Sequence, residues 1–254
     1  MNLEFTGRPE AGGMDQTFLL REYIEASEST VFFGGAGVST ESGIPDFRSA
    51  DGLYSQKYAY PPEEILSRSF FYAHRAEFFR FYRDRVLALH ARPNAAHIRL
   101  AALEAAGKLR AIVTQNIDGL HQAAGSKNVI ELHGSVHRNH CLACGKTFGA
   151  EYMLGAPGVP ACPCGGIVRP DVVLYEEPLD PKVIDRAVAA IRNADLLIIG
   201  GTSLVVYPAA GLVDYFRGRR LVVINRTPVG SRQADLFIQG AIGEVLAKTA
   251  NDAG

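Results

Sequence analysis

The chain has 254 residues, 47% of them hydrophobic, which is enough to bury a substantial core. Its 26 basic and 27 acidic residues give a net charge of −1, so the sequence offers no electrostatic basis for tight nucleic-acid binding. No apolar run approaches the roughly 20 residues that span a bilayer, and no signal-peptide pattern is present. We therefore expect a cytoplasmic protein without membrane or direct nucleic-acid partners.

The first patterned segments point to a nucleotide-binding fold. Residues 1–13 carry no periodic pattern, and we expect them to be disordered or tag-like, with Met14 as a candidate start. Asp15 predicts the N-cap of a first helix. Residues 30–33 predict a short buried strand that leads into the glycines of 34–37. A strand, a glycine turn and a polar loop open nucleotide-binding α/β folds, although a tight turn without a ligand is the alternative.

The glycine loop is followed by the block 44–48, Ile-Pro-Asp-Phe-Arg. Its aromatic ring can shield a reactive centre from water, and its arginine can hold ribose or phosphate oxygens. Residues 51–90 are rich in aromatic and basic residues and lack a strand pattern, which predicts a helical insertion. One helix of this insertion is expected to begin at Pro61-Pro62, and another is expected to run from a cap at Ser69 to about Leu89.

The rest of the chain alternates between apolar strands and helices. Helices are predicted over 94–106, 180–192 and 208–217, and strands over 111–114, 129–132, 172–174, 196–199, 221–224 and 236–238. Continuous apolar strands that alternate with helices are typical of a doubly wound α/β fold, with a parallel sheet covered on both faces.

Polar clusters follow the carboxyl ends of several of these strands, where open α/β sheets bind their ligands. The clusters are Thr114–His121, Glu131–Ser135, Gly200–Leu204 and Val223–Arg226. Asn225 stands where a dinucleotide fold is expected to place a ribose partner. Each cluster alone has a plainer interpretation, such as a polar loop with an Asp cap, or a structural role for His133.

The four cysteines form one compact pattern, Cys141-x2-Cys144 and then Cys162-x-Cys164. In a chain without a secretion signal, this spacing predicts a structural Zn²⁺ bound by four thiolates rather than disulfides. Four protein ligands leave no open position, so we expect no catalysis by the metal. His137 and His140 lie nearby and are interpreted as non-ligands.

In their order along the chain, these motifs resemble those of the sirtuin family. The match covers about residues 30–242 and consists of GAGxS, GIPDFR, TQNIDGLH, HG, the four cysteines, GTSL and INR. The resemblance implies an NAD-dependent protein-lysine deacylase, by default a deacetylase, that yields lysine, nicotinamide and O-acyl-ADP-ribose. It further implies a Rossmann-like NAD-binding large domain (14–50, 91–138 and 169–254) and a small domain formed by the helical insertion (51–90) and a zinc ribbon (139–168).

The resemblance also assigns roles to matching residues. The catalytic residues would be His133, Asn116 and Asp118, with His133 as the general base that activates a ribose hydroxyl after nicotinamide leaves. Contacts to NAD, the co-substrate, would come from Ala36, Thr40, Phe47, Arg48, Gln115, Ile117, Asp118, His133, Thr202, Ser203, Asn225, Ala241 and Ile242. Val173, Leu174 and Val206 would pair with the backbone of an acyl-lysine protein or peptide.

The acyl preference depends on one pair of residues. Tyr82 and Arg85 resemble the pair with which some sirtuins bind succinyl and malonyl groups, and Ala50 matches the small residue of that subgroup. Arginine can bind a carboxylate bidentately while tyrosine donates a hydrogen bond. The plainer alternative makes Tyr82 a core residue and Arg85 a solvated charge. Two other functions also stay open: protein mono-ADP-ribosyl transfer, and a non-catalytic NAD- or peptide-binding module.

Overall fold

The computed structural model describes residues 15–46, 59–229 and 234–250. The predictions for residues 1–13, Phe47, Arg48 and Ala50 lie outside these ranges. Within them, no helix is both long enough and apolar enough to cross a membrane.

The described chain forms nine strands and nine α-helices. The strands are β1 Thr30–Gly34, β2 Leu109–Thr114, β3 Val129–Glu131, β4 Gly134–Cys141, β5 Thr147–Phe148, β6 Val168–Val172, β7 Leu196–Gly200, β8 Arg220–Asn225 and β9 Leu236–Gln239. The helices are α1 Gln16–Ala26, α2 Pro62–Ile65, α3 Arg68–Ala73, α4 Arg75–Phe81, α5 Ala95–Ala105, α6 Leu120–Ala123, α7 Ala150–Gly155, α8 Pro181–Arg192 and α9 Ile242–Ala247. Short 3₁₀ turns cover Ala36–Val38, Thr40–Ser42 and Ala209–Tyr215, and a π-helical turn covers Tyr82–Val86.

The main sheet has six parallel strands in the order β3-β2-β1-β7-β8-β9. One face packs against α8 and the 3₁₀ turn at Ala209–Tyr215, and the other packs against α1, α5 and α9. The predicted doubly wound Rossmann-like fold is therefore confirmed. The strand order changes direction between β1 and β7, and such a switch point opens a crevice at the carboxyl ends of the strands.

A third apolar cluster joins the helices of the insertion to a small antiparallel sheet of order β5-β4-β6. Phe71, Phe78 and Phe79 are fully buried there, which accounts for the aromatic composition of the insertion. The strand predicted over 172–174 lies earlier, at Val168–Val172, and pairs with β4 in this small sheet. A short apolar run does not reveal which sheet it will join, because parallel and antiparallel strands can carry the same residues.

The insertion is more broken than predicted. Ser67, not Ser69, caps α3, by accepting a hydrogen bond from the Phe70 amide at 3.2 Å. The helix ends at Ala73, with His74 as its C-cap, instead of running to Leu89. The hydroxyl of Ser69 donates instead to the Glu176 carboxylate at 2.8 Å. Two serines separated by one residue offer the same capping chemistry, so the sequence alone could not choose between them.

Candidate active site

A cavity of about 700 Å³ lies beside the switch point, at the carboxyl ends of β1, β2, β7 and β8. This is the size of a pocket that encloses a small-molecule ligand. The described residues predicted to contact NAD or to act in catalysis all line it: Ala36, Thr40, Gln115, Asn116, Ile117, Asp118, His133, Thr202, Ser203, Asn225, Ala241 and Ile242. The predicted substrate residues line it as well: Tyr82, Arg85, Val173, Leu174 and Val206.

Glycines keep the cavity open where the loops after β1 and β7 meet. The Gly37 amide donates to the Gly201 carbonyl oxygen at 2.8 Å, and a Cβ on Gly37 would lie 2.8 Å from the Gly201 Cα. A Cβ on Gly35 would lie 2.8 Å from the Thr202 Cβ, and Gly201 itself has a φ of +58°. Side chains are thus excluded where backbone must approach a diphosphate, so the loops fit a dinucleotide.

Two loops are joined by a hydrogen-bonded group of three polar side chains. Ser39 Oγ donates to Asp118 Oδ2 at 2.7 Å and accepts from Asn116 Nδ2 at 3.0 Å. The other oxygen of Asp118 accepts from the Leu120 amide at 2.9 Å. Ser39 lines the cavity but is missing from the predicted site, although it belongs to the GAGxS motif that carries the resemblance. Its hydrogen bonds to two predicted catalytic residues connect residues far apart in sequence, which no local pattern signals.

A second contact spans the loops after β2 and β7. Gln115 Nε2 donates to Thr202 Oγ1 at 3.0 Å, and the same oxygen accepts from the Leu204 amide at 3.2 Å. The amide of Asn225 turns toward its own loop, where Nδ2 donates to the Thr227 carbonyl oxygen at 2.8 Å.

His133 follows β3 and is held by a backbone carbonyl. Its Nδ1 lies 3.0 Å from the Gln115 carbonyl oxygen, which can only accept, so Nδ1 carries the proton and Nε2 keeps its lone pair. Burial lowers the pKa of His133, and the bond to Gln115 opposes that shift. The imidazole is therefore neutral near pH 7 and able to accept a proton at Nε2. The His133 carbonyl oxygen accepts from the Val173 amide at 3.0 Å, which ties the predicted substrate segment to this residue.

His121 is the last residue of the cluster Thr114–His121 but is buried and does not line the cavity. Its buried ring lies 4.7 Å from that of His97, centroid to centroid, and neither of its ring nitrogens has a hydrogen-bond partner among the described residues. Burial lowers the pKa of His121 to about 3 and that of His97 to about 4. Both rings stay neutral in the physiological range and form part of the packing behind the site.

Tyr82 and Arg85 lie on the π-helical turn that follows α4. Tyr82 is fully buried and stacks on Phe78 with centroids 5.8 Å apart, yet its hydroxyl has no hydrogen-bond partner in the described part of the chain. Burial raises the pKa of this phenol, so it remains a hydrogen-bond donor. Arg85 is exposed, and both residues line the cavity.

The four cysteines converge. Their sulfur atoms all lie within 4.8 Å of one another, with Cys141–Cys164 at 3.5 Å, Cys144–Cys162 at 3.7 Å and Cys144–Cys164 at 3.4 Å. Tetrahedral Zn²⁺ with Zn–S bonds near 2.3 Å separates its sulfur ligands by about 3.8 Å, so the thiols fit that ion. His137 and His140 are not part of this cluster.

Known proteins match this sequence and this fold. A family model described as the Sir2 family matches residues 35–208. The NAD-dependent protein deacetylase of Clostridium acetobutylicum is 58% identical over 238 residues, which cover 92% of this chain and 97% of that protein. The NAD-dependent protein deacetylase of Cutibacterium acnes is 60% identical over 231 residues, which cover 90% and 95%. The crystal structure of a Sir2 homologue–NAD complex matches with a TM-score of 0.84 at 39% identity, covering 96% of this chain and 95% of that one.

Proposed function

The chain belongs to the Sir2 family and is an NAD-dependent protein deacetylase, and on that premise we propose that its cavity binds NAD together with an acyl-lysine side chain, with His133 as the general base. The observation that carries this proposal is the position of His133. Its Nε2 is the unprotonated nitrogen, and the residue lines the same cavity as the glycine loops.

The residues around His133 suit a reaction that depends on positioning. NAD supplies a ribose carbon that becomes electrophilic as neutral nicotinamide departs. We assign Ser39, Asn116 and Asp118 to holding the nicotinamide and ribose end, because their hydrogen bonds fix one another's orientation. Holding the acyl oxygen against that carbon supplies much of the rate enhancement. His133 then accepts the proton of a ribose hydroxyl, which leads to free lysine and O-acyl-ADP-ribose.

We assign the peptide backbone to the gap between Val173-Leu174 and Val206. Val173 and Leu174 directly follow strand β6, whereas Val206 lies in a bend across the cavity, so a peptide would add as a strand along Val173-Leu174 with Val206 on its other side. A Sir2–p53 peptide–NAD⁺ complex is 40% identical to this chain with a TM-score of 0.80, which supports a peptide substrate here. Because the Val173 amide bonds to the His133 carbonyl oxygen, peptide binding at this segment would sit directly beside the base.

The test of the proposal is a panel of acetyl, propionyl, succinyl and malonyl peptides incubated with NAD. We expect one nicotinamide released for each lysine freed, with acetyl peptide among the good substrates. Transfer of ADP-ribose from labelled NAD to protein, without lysine release, would instead support the ADP-ribosyltransferase alternative. Absence of both reactions would contradict the proposal and support the alternative of a non-catalytic NAD- or peptide-binding module.

We further propose that Tyr82 and Arg85 let the cavity accept acidic acyl groups such as succinyl and malonyl. A buried phenol with an unused donor and an arginine on the same turn offer two groups that suit a carboxylate. The same tyrosine also packs in the aromatic cluster, so its burial alone would not require this role.

Replacing Arg85 by methionine is expected to lower kcat/KM for succinyl peptide by roughly tenfold or more, since a charged hydrogen bond contributes about 1.5–3 kcal/mol. Activity on acetyl peptide should change less than about twofold, because an acetyl group carries no carboxylate for the guanidinium to bind. The matched control is Arg80→Met, an exposed arginine on α4 that does not line the cavity. Equal losses on the two peptides would contradict the acidic-acyl role.

A further inference from the structure

Strand β4 carries a three-residue bulge that reaches the predicted catalytic loop. Ser135 pairs with Asp171 and Asn139 pairs with Pro170, so residues 136–138 stand opposite no residue of β6, all of which is described. Bulges bend a strand and redirect its side chains, and they recur beside active sites. Here the redirected residues are Val136, His137 and Arg138.

Each residue of the bulge contacts a specific partner. The Val136 amide donates to the Ile117 carbonyl oxygen at 3.0 Å. His137 Nε2 lies 2.9 Å from the Asp118 carbonyl oxygen, which can only accept, so Nε2 is the donor. Arg138 forms ion pairs with Glu131 at 2.6 Å and with Asp171 at 2.9 Å. Val136 and His137 thus bind the turn that carries Ile117 and Asp118, while Arg138 bonds back to Asp171 of β6.

The imidazole of His137 also lies over Gly119, the residue that follows Asp118. A Cβ on Gly119 would lie 2.6 Å from Cδ2 of that ring, and the φ of Gly119 is +74°, where glycine is favoured. The ring thus lies against the backbone at the point where the chain turns into α6. The Asp118 carboxylate is oriented by this turn, since one of its oxygens accepts from the Leu120 amide.

The position of His137 along β4 links two sites. The strand begins at Gly134, directly after His133, and ends at Cys141, one of the four clustered thiols. His137 lies between them, and its backbone amide donates to the buried Ser135 hydroxyl at 3.3 Å. His137 thus connects the Asp118 turn to a strand whose two ends lie at His133 and at the cysteine cluster.

From these contacts we propose that His137 is a positioning residue for the NAD end of the site. Its bond to the Asp118 carbonyl oxygen fixes the turn 117–119 relative to the strand that joins His133 to the cysteine cluster. The fixed turn then orients the Asp118 carboxylate. This inference rests on the proposed role of Asp118 at the nicotinamide and ribose end. It predicts an effect on NAD and not on the peptide, because the contacts of His137 lie on the Asp118 side of the cavity.

The test compares His137→Leu with His137→Gln, whose side-chain Nε2 can replace the donor. We expect the leucine variant to raise the KM for NAD and the Kd for NAD about fivefold, the effect of one hydrogen bond, and to leave the KM for acetyl peptide within about twofold. The glutamine variant should bring both NAD constants back to within about twofold of the unmutated protein. Zinc content should stay at one ion per chain in both variants.

The Kd for NAD is measured by titration calorimetry, which needs no turnover. Inactivity of the unmutated protein would therefore count against the proposed function, while the calorimetric comparison would still test His137. Unchanged NAD constants in the leucine variant would overturn the inference. So would equal losses for NAD and peptide that glutamine does not rescue, since these would indicate a purely structural contact.

Discussion

Replacing His133 by alanine is expected to lower kcat for deacetylation by roughly 10²- to 10⁴-fold, the usual contribution of a general base. The Kd for NAD should change far less than kcat, because only one of the predicted NAD contacts is lost while the glycine loops and the group formed by Ser39, Asn116 and Asp118 remain in place. Steady-state turnover of an acetyl peptide and calorimetry with NAD measure the two effects separately. The matched control is His90→Ala, an exposed histidine outside the cavity.

The pH dependence of kcat/KM, which reports the pKa values of the free enzyme, provides a second test of the role of His133. A general base acts in its deprotonated form, so activity falls as the pH drops through its pKa. Burial lowers the pKa of His133 from its ordinary value of 6.5, which moves the loss of activity to lower pH. We therefore expect the acid limb of the profile below pH 6.5 in the unmutated protein. Full turnover in His133→Ala, or an acid limb well above that pH, would contradict the assignment.

Removing the metal from the cysteine cluster is expected to have the second large effect. Cys141 and Cys162 are buried within the same apolar cluster as Phe71 and Phe78, so loss of the metal would loosen that core. Structural zinc contributes on the order of 10 kcal/mol to small metal-dependent folds. If Cys144→Ser loses about 3 kcal/mol of this stabilisation, Tm should fall by roughly 10 °C. Activity should fall with the metal, because β4 connects Cys141 to the residue after His133.

Zinc content by mass spectrometry, Tm and turnover are the measurements for this prediction. Ala143→Ser is the matched control, because it alters an exposed neighbour and keeps all four thiolates. Chelated protein should regain both Tm and turnover on addition of Zn²⁺. A metal-free protein with unchanged Tm and unchanged kcat would show that the cluster has no structural role.

The sequence predicted the sheet and the location of the site well, for a physical reason. Parallel strands place their carboxyl ends at one edge, so polar clusters after separate strands, such as those at Asp118 and Asn225, converge without knowledge of tertiary detail. The cap at Asp15 was predicted equally well, since its side chain accepts from an amide two residues ahead. The family and the deacetylase activity are confirmed, whereas the domain boundaries and the roles of single residues stay predictions.

Features that depend on long-range register could not be predicted. The bulge at 136–138 exists only relative to β6, and the sequence of β4 contains no glycine or proline there to mark it. The contact of Ser39 with Asp118 joins residues 79 positions apart. No glycine or proline marks the break in the insertion at His74, where Phe71 and Phe78 on either side are buried in the same cluster.

The order of strands in the main sheet also bears on how the protein is made. β1 is among the first elements to leave the ribosome, yet one of its two neighbours, β7, begins only at Leu196. Until then the apolar strand Thr30–Gly34 has an unpaired edge, and such edges recruit other chains. Nascent chains that stall before Leu196 should therefore be aggregation-prone and dependent on chaperones. The glycine loop after β1 meets its partner loop at Gly201 only when roughly the last fifth of the chain is made.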